Sequence, residues 1–280
     1  MVSIDRRGFM TGGVAAAACT LAARAAQNHE ATSGRLRIAH LTDPQFGMGK
    51  KGRSVEENYP EDLARFELAV ERVNALKPDL AIITGDMTHR SEDAPKDWPR
   101  LLKLFKVPVA VAPGNHDLGD SVTKENLARH RSVFGYDRKA FDLKGWRIIV
   151  GNTQFLFKTE LKDEKEAYNA WVKSELENAK KYDGRVILAG HVPPFANDWR
   201  EGDSWENFRG LRDERMRLYR HSGANFYLAG HTHRFGIKGY KSLTILNAEV
   251  TSRCFDERPF GFRMFEVDDK MNYSYNFVGV

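Results

Sequence analysis

The chain has 280 residues, 41% of them hydrophobic and 29% charged, the make-up of a globular protein and not of a disordered or fibrous one. Its net charge of +5 is small, and residues 1–25 hold three of the arginines and one aspartate, so the remainder carries +3. With no long run of one sign, that imbalance is too weak to hold nucleic acid or a membrane surface by charge alone. Cys19 and Cys254 are the two cysteines, which excludes a disulfide framework.

Residues 1–26 read as a twin-arginine export signal. Arg6-Arg7 precede Phe9-Met10, an apolar Ala-rich stretch runs from Val14 to Ala23, and Ala23-Arg24-Ala25 puts small residues at −3 and −1 of a cleavage site. The apolar run is too short for a bilayer core that needs about 20 residues, so no stable membrane anchor is expected. A lipoprotein site at Cys19 would lack the usual large aliphatic residue three positions before it, where Ala16 stands. Export implies a bacterial periplasmic destination, with Cys254 then alone and reading as a small half-buried hydrophobe. Residues 27–34 are a polar tether, and 35–280 are expected to form one domain.

Leu36–Leu41 reads as a strand that breaks at Thr42-Asp43-Pro44-Gln45. From Glu61 to Leu76, Leu63, Phe66, Ala69, Val70 and Val73 recur at helical spacing, and Pro78 ends that helix. The continuous apolar run 79–84 predicts a strand covered on both faces, ending at Gly85-Asp86. A helix over 98–105 leads to the strand 108–111, which breaks at Pro113-Gly114 into Asn115-His116-Asp117. A helix over 124–134 and strands over 140–143 and 146–150 follow, the latter ending at Gly151-Asn152-Thr153-Gln154. A long helix over 164–181 carries Tyr168, Trp171, Val172 and Leu176 on one stripe. The strands 185–189 and 225–229 end at Gly190-His191 and Gly230-His231-Thr232-His233, with a helix reaching Arg220 between them. Strands over 243–246, 262–267 and 273–278 close the chain. Alternating strands and helices predict a parallel sheet, and the hairpin-like tail predicts a second, mixed one.

The polar residues after these strands carry the chemistry. Asp43 and Gln45, then Asp86, then Asn115, His116 and Asp117, then His191, then His231 and His233 stand at five strand ends, where open α/β sheets place their sites. Mixed carboxylate, amide and imidazole donors suit Mn, Fe, Zn or Ni better than copper or an oxygen-only calcium site. A lone strand-end histidine is usually structural, but five such clusters point to a metal centre.

In this order, Asp-x-Gln, Gly-Asp, Gly-Asn-His-Asp, Gly-His and Gly-His-Thr-His resemble the calcineurin-like metallophosphoesterases over about residues 36–268. Asp43-Pro44-Gln45-Phe46-Gly47 with Asn152-Thr153-Gln154-Phe155 is similar to a subgroup that includes eukaryotic serine/threonine phosphatases. The resemblance implies a four-layer α/β/β/α sandwich of two mixed sheets and two divalent cations, Mn, Fe, Zn or Mg. Asp43, His233 and Gln45 (in place of the usual His) would hold the first ion, Asp86 would bridge, and Asn115, His191 and His231 would hold the second. A hydroxide bridging the metals would attack phosphorus, with His116 as general acid. His89 stands where many protein phosphatases carry an Asp that orients this histidine, which leaves Asp117 as the candidate carboxylate partner by proximity.

The implied partner is a phosphorylated small molecule or phosphoprotein, with a monoester favoured over a diester of nucleotides or lipids. A non-catalytic exported metal- or phosphate-binding protein is the competing reading, with the first site left empty by Gln45. Nuclease activity has little support from a charge of +3. Arg253 and Arg258 could fork a substrate phosphate or simply solvate the surface. The loop 193–210, with Phe195, Trp199, Trp205 and Phe208 beside Arg200 and Arg209, could wall the cleft or pack on itself.

Overall fold

Strands β1 (Leu36–Leu41), β2 (Leu80–Ile83) and β3 (Val109–Val111) lie parallel, with Ile38 opposite Leu80 and Ala81 opposite Val109. The computed structural model describes residues 34–90, 96–119, 121–157, 159–198, 200, 202, 204, 207 and 212–280. The export signal expected at 1–26, and the tether up to residue 33, lie outside the described residues. Among those described, no helix is long and apolar enough to cross a membrane.

Helix α1 (Val55–Leu76) begins six residues before the start expected at Glu61. Its N-cap is a reciprocal box: the Glu57 amide donates to Ser54 Oγ at 3.2 Å, and the Ser54 amide donates to the Glu57 carboxylate at 2.7 Å. Pro60, the sixth residue, leaves the Glu56 carbonyl without its intrahelical donor, yet the helix runs on to Leu76. Helix α2 (Trp98–Leu104), the single turn α3 (Asn115–Leu118) and α4 (Lys124–Phe134) follow.

The second sheet contains β4 (Lys139–Leu143), β5 (Trp146–Val150), β6 (Val186–Ala189), β7 (Phe226–Ala229), β8 (Gly236–Tyr240) and β9 (Leu243–Asn247). Its order is β4-β5-β6-β7-β9-β8, with β5, β6, β7 and β9 parallel and antiparallel partners at both edges. Helices α5 (Lys162–Ala179) and α6 (Arg212–His221) accompany it. The last strands, β10 (Gly261–Val267) and β11 (Tyr273–Gly279), correct one expectation. They do not build the second sheet but complete the first, in the order β11-β10-β1-β2-β3, with β10 antiparallel to β1 and Phe265 opposite Ile38. The hairpin β8–β9 closes the second sheet, and β8 was not expected at all; its Gly236-Ile237-Lys238-Gly239-Tyr240 is too glycine-rich to signal a strand.

Strand alternation sorts the side chains into layers. Leu36, Ile38, Leu80 and Ile82 face Trp146, Ile148, Ile187 and Leu228 in a core between the sheets. The intervening Ala39, Leu41, Ala81 and Ile83 pack against Phe66, Val70 and Val73 of α1 and Trp98 of α2. On the far side, Ile149, Leu188 and Tyr227 meet Tyr168, Val172 and Leu176 of α5 and Met216 and Tyr219 of α6. The result is the α/β/β/α sandwich. Stacking the sheets face to face brings the loops after β1, β2 and β3 up against those after β6 and β7.

Candidate metal centre

Each chemistry-bearing residue stands past the carboxyl end of a parallel strand, on a loop or, for Asn115, His116 and Asp117, on the turn α3. Asp43, Gln45, Asp86, His231 and His233 all have φ between +36° and +70°, the left-handed region that costs a non-glycine residue energy. Main-chain bonds fix these turns to one another: the Asp43 amide donates to Gly85 O at 3.0 Å and the Gln45 amide to Asp86 O at 2.8 Å. The His231 amide donates to Asp43 Oδ2 at 3.0 Å, Thr42 Oγ1 donates to the same oxygen at 2.5 Å, and Ser252 Oγ donates to Asp43 O at 2.9 Å. Two glycines permit the close approach. A Cβ on Gly114 would stand 2.0 Å from Asp86 Oδ1, and one on Gly230 would stand 1.8 Å from Thr42 Oγ1.

Two groups of buried donors result, Asp43 with Asp86 and His233, and Asp86 with His191 and His231, each group's ligand atoms lying within 4.8 Å of one another. Asp86 belongs to both. The His191 Nδ1 is 2.7 Å from Thr84 O and the His233 Nδ1 is 2.6 Å from Arg253 O. Carbonyls only accept, so both protons sit on Nδ1 and both Nε2 lone pairs face the donor groups. The His191 Nε2 stands 3.0 Å from Asn115 Oδ1, 3.2 Å from Asp86 Oδ2 and 3.0 Å from His231 Nδ1, while the His233 Nε2 is 3.4 Å from Asp43 Oδ1. Acceptors therefore face acceptors in a buried space. One proton on Nε2 can satisfy one such contact at a time, whereas a cation satisfies all of them.

Without a cation, the carboxylates draw protons onto the facing imidazoles instead. Burial pushes the His191 imidazole down, but the Asp86 and Asp43 carboxylates outweigh it and raise the group to about 9. His233 is likewise raised, against burial, by Asp43. Burial opposes ionisation of Asp86 and Asp43, yet the facing imidazoles hold both below the usual carboxylate range. Gln45, fully buried, has neither amide atom hydrogen-bonded to protein, a loss of about 1–3 kcal/mol for an unsatisfied polar group. A divalent cation within these donor groups would relieve the lone-pair crowding, so the residues fit metal ions.

The structure corrects the expected role of Asp117. Its carboxylate accepts from three backbone amides, those of Gly114 at 2.7 Å, Met87 at 2.8 Å and Asp86 at 2.9 Å, which pins the loops after β2 and β3 together. Burial and the adjacent Asp86 charge push it up to about 8 against the pull of those amides. Asp117 therefore positions the loops and does not partner His116. The His116 Nδ1 instead lies 2.7 Å from His89 O, and the His116 ring stacks on that of His89 at 5.2 Å. The His116 amide donates to Asp86 Oδ1 at 2.8 Å. Asn115 and His116 are half-buried where Asp43, Gln45, Asp86, His191 and His233 are buried, so the donor groups open toward solvent on the α3 side.

Arg253 touches the centre through its carbonyl, while its guanidinium lies 5.6 Å over the Phe255 ring, which stacks on His233. Arg258 is exposed and paired with Asp256 at 3.1 Å. Phe195 is buried in the α5–α6 core and Arg200 is exposed on Asp198, whereas Trp199, Trp205, Phe208 and Arg209 lie outside the described residues. His40 was not foreseen from sequence. It is fully buried, with Nδ1 2.6 Å from Tyr275 OH and Nε2 2.9 Å from Thr84 Oγ1, one residue before the turn that carries Gly85-Asp86. A groove of about 960 Å³ beside Lys124, Leu127, Arg131 and Leu161 shares no residue with the donor groups.

The family model described as calcineurin-like phosphoesterase matches residues 36–235, from β1 through both histidines of the loop after β7. The chain belongs to the calcineurin-like phosphoesterase family. It is thereby a metal-dependent phosphoesterase, and the donor groups above are its candidate ligands. The serine/threonine-protein phosphatase CPPED1 of Danio rerio is 28% identical over 220 residues, 72% of this chain and 71% of the relative. The Homo sapiens protein of the same description is 26% identical over 268 residues, 89% and 85% of the two chains. A solved dimetal phosphatase from Danio rerio shares the fold, with a TM-score of 0.59 at 14% identity over 87% of this phosphoesterase and 96% of that chain.

Proposed function

We propose that this phosphoesterase hydrolyses phosphate monoesters at a dinuclear centre, Asp43, Gln45, Asp86 and His233 holding one divalent cation and Asp86, Asn115, His191 and His231 the other. The observation that carries the reading is the place of Asp86 in both donor groups. Preference for a monoester rests on the phosphatase descriptions of the relatives. Cations bound there supply neutralisation of the phosphoryl charge and acidification of a water.

The remaining steps belong to the side chains. The contact between His191 Nε2 and Asn115 Oδ1 turns the Asn115 amide nitrogen away from the donor group, ready to donate to a phosphoryl oxygen. His116, its Nδ1–H held by His89 O, presents Nε2 as the atom that delivers a proton to the leaving oxygen. A positioned acid of this kind contributes about 10²–10⁴-fold. The half-buried placement of Asn115 and His116 lets an ester reach both.

Treatment with EDTA is expected to abolish hydrolysis of p-nitrophenyl phosphate and Mn²⁺ to restore it, with turnover of bis-p-nitrophenyl phosphate lower. Inactivity on both esters across Mn²⁺, Zn²⁺, Mg²⁺ and Fe²⁺ would sink the enzymatic reading; dominance of the bis ester would overturn only the monoester preference.

The same proposal sends the protein out of the cytoplasm by the twin-arginine route, on the strength of Arg6-Arg7 and Ala23-Arg24-Ala25. Replacing Arg6 and Arg7 together by Lys should leave the full-length precursor in the cytoplasm on fractionation. Unchanged export of the double variant would contradict this.

A further inference from the structure

We infer that His40 is a positioning residue for the second cation: it sets Thr84, whose carbonyl holds the ring of His191, and is itself seated by Tyr275 on the edge strand β11. This rests on the dinuclear reading above and goes beyond it, because nothing in that reading uses His40. Leu36 and Ile38 of β1 and Leu80 and Ile82 of β2 face the core between the sheets, and His40 and Thr84 come next on the same faces. Both are fully buried, so they form the floor on which the apolar core gives way to the donor groups. A buried imidazole is costly there unless both ring nitrogens are satisfied, and here both are.

This line of hydrogen bonds runs one way. The Tyr275 hydroxyl has His40 Nδ1, at 2.6 Å, as its one partner among the described residues, so the hydroxyl donates and Nδ1 accepts. The proton of His40 therefore sits on Nε2 and goes to Thr84 Oγ1 at 2.9 Å, which turns the threonine hydroxyl toward Leu41 O at 3.5 Å. The Thr84 amide donates to the same carbonyl at 3.0 Å. Thr84 O then accepts from His191 Nδ1 at 2.7 Å, the bond that leaves His191 Nε2 facing Asp86. Burial holds the His40 imidazole down to about 3, so the strut puts no positive charge beneath the cations. His191 belongs to the second donor group alone, and His233 of the first has a different support, the Arg253 carbonyl.

Stepwise Zn²⁺ affinities, measured by competition with a chromophoric chelator, separate this role from a general loosening of the fold. His40→Leu should weaken one of the two Zn²⁺ ions about tenfold, the low end of what a partner behind a metal-binding histidine carries, and leave the other unchanged. In His233→Ala, which keeps the second donor group, the ion that remains should be the weakened one. His40→Gln, whose amide can still donate to Thr84 Oγ1, should recover part of the loss. Tyr275→Phe, which removes one oxygen, should weaken the same ion in the same direction, and circular dichroism establishes which variants fold. Unchanged Zn²⁺ affinity in a folded His40→Leu, or in Tyr275→Phe where His40→Leu does not fold, would overturn the inference, as would equal weakening of both ions. A wild type that binds no Zn²⁺ would instead overturn the dinuclear reading beneath it.

Discussion

Asn115, His116 and Asp117 are consecutive, yet the turn α3 aims them at three tasks. Asn115 meets His191, His116 rests on the His89 carbonyl, and Asp117 gathers three amides. An amide and an imidazole after a glycine at a strand end were legible in sequence as candidate donors, and only the family resemblance assigned their separate roles. The partner of His116 was not legible, since a main-chain carbonyl has no residue type to read, and adjacency suggested Asp117 wrongly. Replacing His116 by Gln is expected to leave metal content unchanged and to lower kcat on p-nitrophenyl phosphate by about 10²-fold or more. A variant that loses metal with activity would make His116 a ligand, and one with full activity would remove it from proton transfer.

At the scale of elements, the strands with continuous apolar runs fell where sequence put them, because burial on both faces leaves a plain signature. The elements that moved were governed by local capping or by distant pairing. The Ser54–Glu57 box pulled the start of α1 forward past Pro60, and β10 paired with β1 across more than 200 residues, which no local pattern announces. Helix α4 makes its own prediction through His130, buried with Nε2 lacking a hydrogen bond and packed on Phe134. Burial holds that imidazole at about 4, below the ordinary 6.5, outweighing Asp137. The unfolded chain therefore binds the proton first, so His130 costs stability progressively as pH falls from 6.5 toward 4 and nothing above that window. Denaturant unfolding of wild type and His130→Gln should diverge by roughly 3 kcal/mol between pH 7 and pH 4, the wild type losing more. Parallel pH profiles for the two proteins would contradict this.

For the whole molecule, the sandwich is a device for convergence. The first sheet delivers Asp43, Gln45, Asp86 and Asn115, the second delivers His191, His231 and His233, and each sheet alone holds only part of either donor group. Carboxylates and amides thus come from one sheet and imidazoles from the other, with Asp86 at the seam. Sequence order showed that five strand ends carry donors, while which donors share an ion came only from the family resemblance, because that depends on how the sheets stack. The central claim is that Asp86 joins two cation sites, and metal content under saturating Zn²⁺ and Mn²⁺ tests it most directly. Elemental analysis should find two ions per chain in the wild type and none in a folded Asp86→Ala variant. An unchanged count in Asp86→Ala, or no metal in the wild type, would contradict it.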